Sequence, residues 1–173
     1  RFGHVSPTTA AAVQEELTPY LNSDDLILDG GPSAVGVEST IIDCTSSAPR
    51  ILRPGAITEE MIEDVTGLAI VNRDEIIRVS GALEKHYSPE AKVVLDQEPQ
   101  PGDGLIALLD FQTPTGVTRL AAPASVDEFA RVLYSSLRAA DAANLARVIV
   151  IQPQGDGIAI AIRDRLGRSA AGR

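Results

Sequence analysis

The stretch Val148-Ile149-Val150-Ile151 decides the fold, because a run of β-branched apolar residues is typical of a strand that is buried on both faces. Strands of that kind occur in parallel sheets whose faces are covered by other segments of the chain. Segment 127–140, which precedes the stretch, has apolar residues at helical spacing. These residues are Phe129, Val132, Leu133 and Leu137. Segment 157–171, which follows the stretch, is a second predicted helix.

Two more aliphatic strands are predicted ahead of the first of these helices, at residues 93–95 and 105–109. They are separated by loop 97–104, which is rich in proline and glycine. The order strand, strand, helix, strand, helix predicts a small three-layer α/β domain over residues 91–173. In such a domain the stretch at 148–151 is a buried strand.

The chain before residue 67 has its own pattern of short elements. Strands are predicted at 26–29, 39–44 and 51–53, and helices at 8–21 and 58–65. Ser6-Pro7 is interpreted as a helix start, with the Ser6 hydroxyl as the N-cap. Stretch 67–90 lacks a regular pattern and ends in His86-Tyr87-Ser88-Pro89, so it is interpreted as a linker between domains 1–66 and 91–173.

Charge and composition exclude several classes of protein. The net charge of −9 argues against nonspecific nucleic-acid binding, so direct tRNA binding is not expected. Cys44 is the single cysteine, which rules out an intrachain disulfide and a cysteine zinc site, and no metal site is predicted. No apolar run has the length of a membrane span and no signal peptide is visible, so the expected location is cytoplasmic.

Loop 29–40 is the first candidate binding segment. Its glycines allow a ligand to approach the backbone closely, and Ser39 and Thr40 offer hydroxyls where a strand begins. The loop matches neither the P-loop nor the dinucleotide pattern, and a plain connection between strands remains an open alternative. The segment therefore needs support from other residues before a function is assigned to it.

Single residues elsewhere have two interpretations each. Arg53 follows an aliphatic strand, where it can bind a phosphate through two hydrogen bonds or form a surface ion pair. Thr8 lies at a helix start, which can bind an anion or simply be capped. The pair His86-Tyr87 can cover a nucleotide or anchor the linker by packing. The three arginines near the C-terminus are interpreted as a solvated helix face or an interface. They are Arg163, Arg165 and Arg168.

Taken in order, five motifs resemble the long form of the threonylcarbamoyl-AMP synthase family. The motifs are Gly3-His4-Val5-Ser6-Pro7-Thr8-Thr9, Asp29-Gly30-Gly31, Gly36-Val37-Glu38-Ser39-Thr40-Ile41, Arg50-Ile51-Leu52-Arg53-Pro54-Gly55 and His86-Tyr87-Ser88-Pro89. The resemblance implies an α/β protein. It consists of the C-terminal part of a YrdC-type twisted-sheet domain, a linker and a small Rossmann-like three-layer α/β/α domain.

The resemblance also implies an activity. The family is a nucleotidyltransferase that makes threonylcarbamoyl-AMP and pyrophosphate from L-threonine, bicarbonate and ATP, with Mg²⁺ expected beside ATP. A separate tRNA-modifying transferase complex then uses the product. Matched position by position, Thr8, Arg53, His86 and Tyr87 are implied to bind ATP, and Ser39 to bind threonine. Tyr87 is implied to close over the nucleotide as part of a lid, and no catalytic residue is assigned.

Two motifs of the family have no counterpart in these residues. A Lys-x-Arg and a Ser-x-Asn are expected ahead of Arg1, together with the early strands of the YrdC-type sheet. The chain is therefore expected to be truncated and inactive alone, with an unpaired apolar sheet edge. Two alternatives to the synthase are a carbamoyl-transfer protein of hydrogenase maturation and a non-catalytic nucleotide- or RNA-binding module. The first carries cysteine-rich zinc fingers, which a single cysteine contradicts, and the acidic charge opposes RNA binding.

Overall fold

The centre of the molecule is a four-stranded parallel sheet in a computed structural model that describes residues 4–71 and 87–171. The strands lie in the spatial order β3-β6-β4-β5. They are β3 (Lys92–Leu95), β4 (Gly104–Ile106), β5 (Thr118–Ala121) and β6 (Arg147–Val150). Strand β6 pairs with β3 on one side and with β4 on the other, so the buried strand that the sequence predicts at residues 148–151 lies inside the sheet.

Both long helices of this C-terminal unit, residues 87–171, cover one face of the sheet. Helix α3 (Val126–Ala142) and helix α4 (Ile158–Ala170) contact each other as well as the sheet. Their apolar side chains meet the side chains of β4 and β6 in the main core. The fully buried members include Ile106, Val148, Val150, Phe129, Leu133, Leu137, Ile162 and Leu166.

Loop segments, and no helix among the described residues, cover the opposite face. There Leu105 and Ile149 are buried against Phe111 and Val117, which lie between β4 and β5. The strand order explains this, because right-handed connections that advance across the sheet lie on one face and those that return lie on the other. The steps from β3 to β4 and from β4 to β5 advance, while α3 returns the chain to β6. The α/β class is confirmed, with loops as the third layer.

Strand β5 was not anticipated by the sequence pattern. It is an edge strand whose side chains are half-buried or exposed, so the apolar signal is weak. Arg119 stabilises it by donating hydrogen bonds to the carbonyl oxygens of Ala107, Leu108 and Ala121 at 2.9, 2.7 and 2.7 Å. The arginine thereby joins the edge strand to the chain that leaves β4.

Residues 4–71 form the N-terminal unit, which contains two strands, two α-helices and a short 3-10 helix (Thr18–Tyr20). Strands β1 (Ile41–Asp43) and β2 (Arg50–Arg53) pair antiparallel, and helices α1 (Ala10–Leu17) and α2 (Glu59–Thr66) flank them in sequence. These four elements confirm the predictions for their segments. Residue Thr58 caps α2, as the sequence predicts.

Two details of this unit differ from the sequence predictions. The N-cap of α1 is Thr9, whose hydroxyl accepts a hydrogen bond from the amide of Ala12 at 3.2 Å. Ser6 does not cap the helix, because its hydroxyl is bonded to the Glu38 carboxylate. The predicted strand at 26–29 is wrong: the residues described there form no strand, and Leu26 and Leu28 are 84% and 88% exposed.

No helix within the described parts of the chain combines the length and the apolar character needed to cross a bilayer.

Candidate functional site

The two units meet around the carboxylate of Glu38, at the end of the glycine-containing loop. The Ser6 hydroxyl donates to Oε1 at 2.5 Å, and the Tyr134 hydroxyl lies 2.9 Å from Oε2. Arg165 donates from Nε to Oε2 at 2.8 Å. We call these four residues the Glu38 cluster. Two of them belong to the N-terminal unit and two to helices α3 and α4.

Charge and burial fix the ionisation state of Glu38. Burial by itself raises the pKa of a carboxyl group, but the hydrogen bonds from Ser6 and Arg165, and the positive charge of Arg165, hold the pKa of Glu38 below its usual value. Arg165 is fully buried, and its remaining donors reach Asp164 at 2.7 Å and the Glu38 carbonyl oxygen at 3.4 Å. The cluster is therefore a buried, charged junction between the units, and its ions are paired.

Ser39, the predicted threonine-binding residue, follows Glu38 directly and is held by Arg53. The Arg53 guanidinium donates from Nε and Nη2 to the Ser39 carbonyl oxygen at 3.0 and 2.9 Å. Its Nη2 also lies 3.3 Å from the Ser39 hydroxyl oxygen. The structure thus brings these two predicted site residues together, with only 8% of Arg53 exposed.

Gly55 makes this arrangement sterically possible. A Cβ atom at residue 55 would lie 2.4 Å from the amide nitrogen of Thr40 and 2.7 Å from the Glu38 carbonyl oxygen. Because real Cβ atoms do not approach backbone so closely, the turn after β2 packs on Glu38-Ser39-Thr40 only with glycine there. The segment is therefore held by Gly55 and Arg53 from the N-terminal unit and by Arg165 from the C-terminal unit.

Tyr87 lies in the core between the units, beside the Glu38 cluster, and is 1% exposed. Its ring stacks on Tyr134 with centroids 5.6 Å apart, and the Arg165 guanidinium carbon lies 5.6 Å from the Tyr87 centroid. Burial and the charge of Glu38 raise the pKa of Tyr87, against the opposing effects of Arg165 and Arg53. In this conformation Tyr87 is a packing anchor. The predicted contact with ATP stays a prediction, and His86 lies outside the described residues.

Thr8 is joined to the glycine-containing loop through its backbone. The amide of Ser33 donates to the Thr8 carbonyl oxygen at 2.8 Å, so the segment before α1 and loop 29–40 lie side by side. Thr8 is only half-buried, which leaves part of its surface accessible. Its role in ATP binding stays a prediction.

The chain matches two protein-family models. Residues 57–171 match the family described as "Threonylcarbamoyl-AMP synthase, C-terminal domain", and residues 1–55 match a family described as "Telomere recombination". The chain belongs to the threonylcarbamoyl-AMP synthase family. Helix α2 falls within the first of these two models, because the models meet between residues 55 and 57.

Curated relatives and solved structures agree with this assignment. Threonylcarbamoyl-AMP synthase of Bacillus subtilis is 32% identical over 99% of this chain and 55% of its own length, and that of Pyrococcus abyssi is 30% identical over 98% and 55%. A crystal structure of P. abyssi Sua5 complexed with L-threonine superposes with a TM-score of 0.81 and 27% identity, covering 99% of this chain and 56% of that one. The chain therefore spans about half the length of the curated relatives it matches.

Three members of the Glu38 cluster were missed as site residues when this synthase-family chain was interpreted from sequence: Glu38, Tyr134 and Arg165. The interpretation of the C-terminal arginines as a solvated face is wrong for Arg165, and the interface alternative holds for it. A signal was present, since Arg165 lies four and three positions after the buried residues Ala161 and Ile162, on the same face of α4. A charge within an apolar stripe is buried only when it is paired.

Proposed function

We propose that this chain is part of an L-threonylcarbamoyladenylate synthase, which converts L-threonine, bicarbonate and ATP into threonylcarbamoyl-AMP and pyrophosphate. The observation that carries the proposal is the likeness over 99% of the chain to a solved relative described as complexed with L-threonine. The identities of 30% and 32% with curated synthases support the same activity.

The proposed reaction is a nucleotidyl transfer. Bicarbonate carboxylates the amine of L-threonine with loss of water. An oxygen of the resulting carbamate attacks the α-phosphorus of ATP and forms a new P–O bond, and the bond from that phosphorus to the bridging oxygen of the β-phosphate breaks to release pyrophosphate. Such a reaction depends mainly on positioning and on stabilising charge. Ser39 would orient threonine. Arg53 fixes the carbonyl oxygen of Ser39 and lies beside the Ser39 hydroxyl, so the position of this hydroxyl is restrained.

ATP would be bound by Thr8, Arg53, His86 and Tyr87. Arg53 donates from Nε and Nη2 to the carbonyl oxygen of Ser39, so phosphate binding by Arg53 would require its side chain to rearrange. Among residues 4–71 and 87–171 no three metal-ligating side chains lie close enough to form a metal site. The phosphate oxygens of ATP and water are expected to supply oxygen ligands to Mg²⁺.

The product is proposed to pass to a tRNA-modifying transferase complex in the cytoplasm. Direct binding of tRNA is not proposed, because the net charge of −9 repels a phosphate backbone.

Pyrophosphate release by the complete gene product tests this function. Release from ATP is expected only when L-threonine and bicarbonate are both present. Arg53→Ala should weaken the use of ATP by more than about tenfold, because a charge-assisted hydrogen bond contributes roughly 1.5–3 kcal/mol. Arg131→Ala, which removes an exposed arginine on α3, is the matched control and should leave the kinetics unchanged.

Two outcomes would contradict the proposal in different ways. If the complete gene product binds ATP without releasing pyrophosphate, the non-catalytic nucleotide-binding module is the better description. If the Arg53→Ala variant releases pyrophosphate with unchanged kinetics, the synthase activity stands but Arg53 does not belong to the ATP site.

A further inference from the structure

We infer that Arg165 and Tyr134 of the C-terminal unit are positioning residues for the threonine site, acting through the carboxylate of Glu38. The inference rests on the proposed function, because it takes Ser39 as the residue that binds threonine. By this inference the C-terminal unit helps to form the threonine site of the N-terminal unit.

The first step of the argument is the direct bond between the units at Glu38. Arg165 contacts both the carboxylate of Glu38, at 2.8 Å, and its carbonyl oxygen, at 3.4 Å. The carbonyl belongs to the peptide that joins Glu38 to Ser39. The guanidinium of α4 therefore restrains the backbone immediately before the Ser39 side chain.

The second step is the rigidity of the donors. Arg165 is fully buried and Tyr134 is 1% exposed, so neither side chain can swing away from Glu38 without opening the core. The Tyr134 ring is also fixed by its stacking on Tyr87. Buried donors of this kind hold an acceptor in one place, whereas exposed side chains exchange between rotamers.

The third step is a close backbone contact two residues before Glu38. A Cβ atom at Gly36 would lie 2.2 Å from the carbonyl oxygen of Ala130 on α3. The loop that leads to Ser39 thus rests directly on the helix that carries Tyr134. Contacts with Ala130 and Tyr134 on α3 and with Arg165 on α4 therefore fix the approach to the threonine site.

The fourth step concerns the partner on the other side of Glu38. Ser6 shares the carboxylate and lies two residues ahead of Thr8, the predicted ATP contact. One carboxylate therefore connects the predicted ATP segment, the predicted threonine segment and both long helices. Loss of the donors on α3 and α4 would loosen the arrangement of these two binding segments relative to each other.

Tyr134→Phe is the decisive variant, because it removes one hydroxyl and keeps the ring that stacks on Tyr87. In the complete gene product the dissociation constant for L-threonine, measured by calorimetry, should rise roughly fivefold, a fraction of what a full charge-assisted hydrogen bond contributes. Tyr20→Phe is the matched control, since Tyr20 is 67% exposed and lies outside the Glu38 cluster, and it should leave the constant unchanged.

A double-variant comparison separates positioning from general stability. Glu38→Ala combined with Tyr134→Phe should bind threonine no more weakly than Glu38→Ala alone, because either change by itself removes the contact between the two side chains. Arg165→Met should weaken threonine binding more than Tyr134→Phe does. If Arg165→Met fails to fold, the milder tyrosine variant still decides the question.

Hydrogen exchange gives a readout that does not depend on threonine. In Tyr134→Phe the amides of Ser39 and Thr40 should exchange at least about threefold faster, while those of Leu105 and Ile106 in β4 keep their rates. Unchanged exchange at Ser39, or unchanged threonine affinity in a folded variant, would overturn the inference. If the unmodified protein binds no threonine, the proposed function fails, and the exchange rates alone then decide whether α3 and α4 position Ser39.

Discussion

At the scale of single residues, the region around Glu38 depends on two positions at which only glycine fits. Gly36 adopts φ of +85° and rests on the backbone of α3, while Gly55 rests on the backbone around Ser39. Both glycines stand in motifs that resemble those of the synthase family. The structure shows that they also serve close packing, which the sequence alone cannot distinguish from ligand approach.

Gly36→Ala should destabilise the protein by about 1–3 kcal/mol, because the new Cβ would meet the Ala130 carbonyl and the residue would keep a left-handed backbone. Gly30→Ala is the control, since a Cβ at residue 30 meets no atom within 4 Å. Urea denaturation should show a cost below about 0.5 kcal/mol for this control. Equal effects of the two changes would contradict the close contact with α3.

Tyr87→Ala should lower the free energy of unfolding by about 3–5 kcal/mol, since a ring that is 1% exposed leaves a cavity between the units. Thermal denaturation with and without ATP measures this. The lid hypothesis instead requires Tyr87 to leave this position when ATP binds, with little loss of stability in the alanine variant. A stable Tyr87→Ala protein with a raised apparent constant for ATP would favour the lid over the anchor.

At the scale of elements, the sequence was most informative where packing is local. Helix α2 was predicted from its Thr58 cap, helix α3 from its apolar spacing and strand β6 from its aliphatic run, all of which are local signals. Strand β5 was missed, since an edge strand buries too little to leave an alternating pattern. The segment at Leu26 was predicted wrongly, because an aliphatic run forms a strand only beside a partner, and none pairs with it among the described residues.

The site residues, too, were predicted correctly only where their contacts are local in sequence. Ser39 and Arg53 were selected from motifs and do lie together, since β1 and β2 are neighbours in sequence and pair. Tyr134 and Arg165 reach Glu38 across 96 and 127 residues of sequence. No local pattern encodes such a contact, so the cluster could be found only from the folded chain. The helix ends, by contrast, are encoded locally and can be tested locally.

Ser125→Ala should destabilise the protein by about 1 kcal/mol, because the Ser125 hydroxyl caps α3 by accepting a hydrogen bond from the Glu128 amide at 3.2 Å. Ser135→Ala, in the exposed middle of the same helix, is the control and should change stability by less than about 0.5 kcal/mol. Urea denaturation of the two variants compares them directly. A larger effect at Ser135 would mean that the helix start does not depend on the cap.

At the scale of the whole molecule, the two units share one apolar core and several polar contacts. Val5 is buried in the core that α3 and α4 form, and Val37 packs against it. Helices α1 and α3 are joined by the ion pair of Glu16 and Arg138 at 3.0 Å. The units are therefore held together by packing as well as by the chain that connects them.

Trypsin should cut first between residues 67 and 90, at Arg73, Arg78 or Lys85, in agreement with the predicted linker. The two fragments should remain associated and elute together in gel filtration, since the shared core and the Glu38 cluster are left intact. Fragments that separate at once would show that the connecting chain, and not the interface, holds the units together. A first cut within residues 127–140 would contradict the predicted division into domains.

Strand order also sets when the protein can fold during its synthesis. The strand made last, β6, lies between β3 and β4 and pairs with both, so neither of those strands has its full set of partners until residues 147–150 have left the ribosome. A chain released early, before β6, would expose aliphatic strand edges to other nascent chains. Arg165 is translated later still, so the loop around Glu38 receives its buried cation only when synthesis of the C-terminal helix is nearly complete.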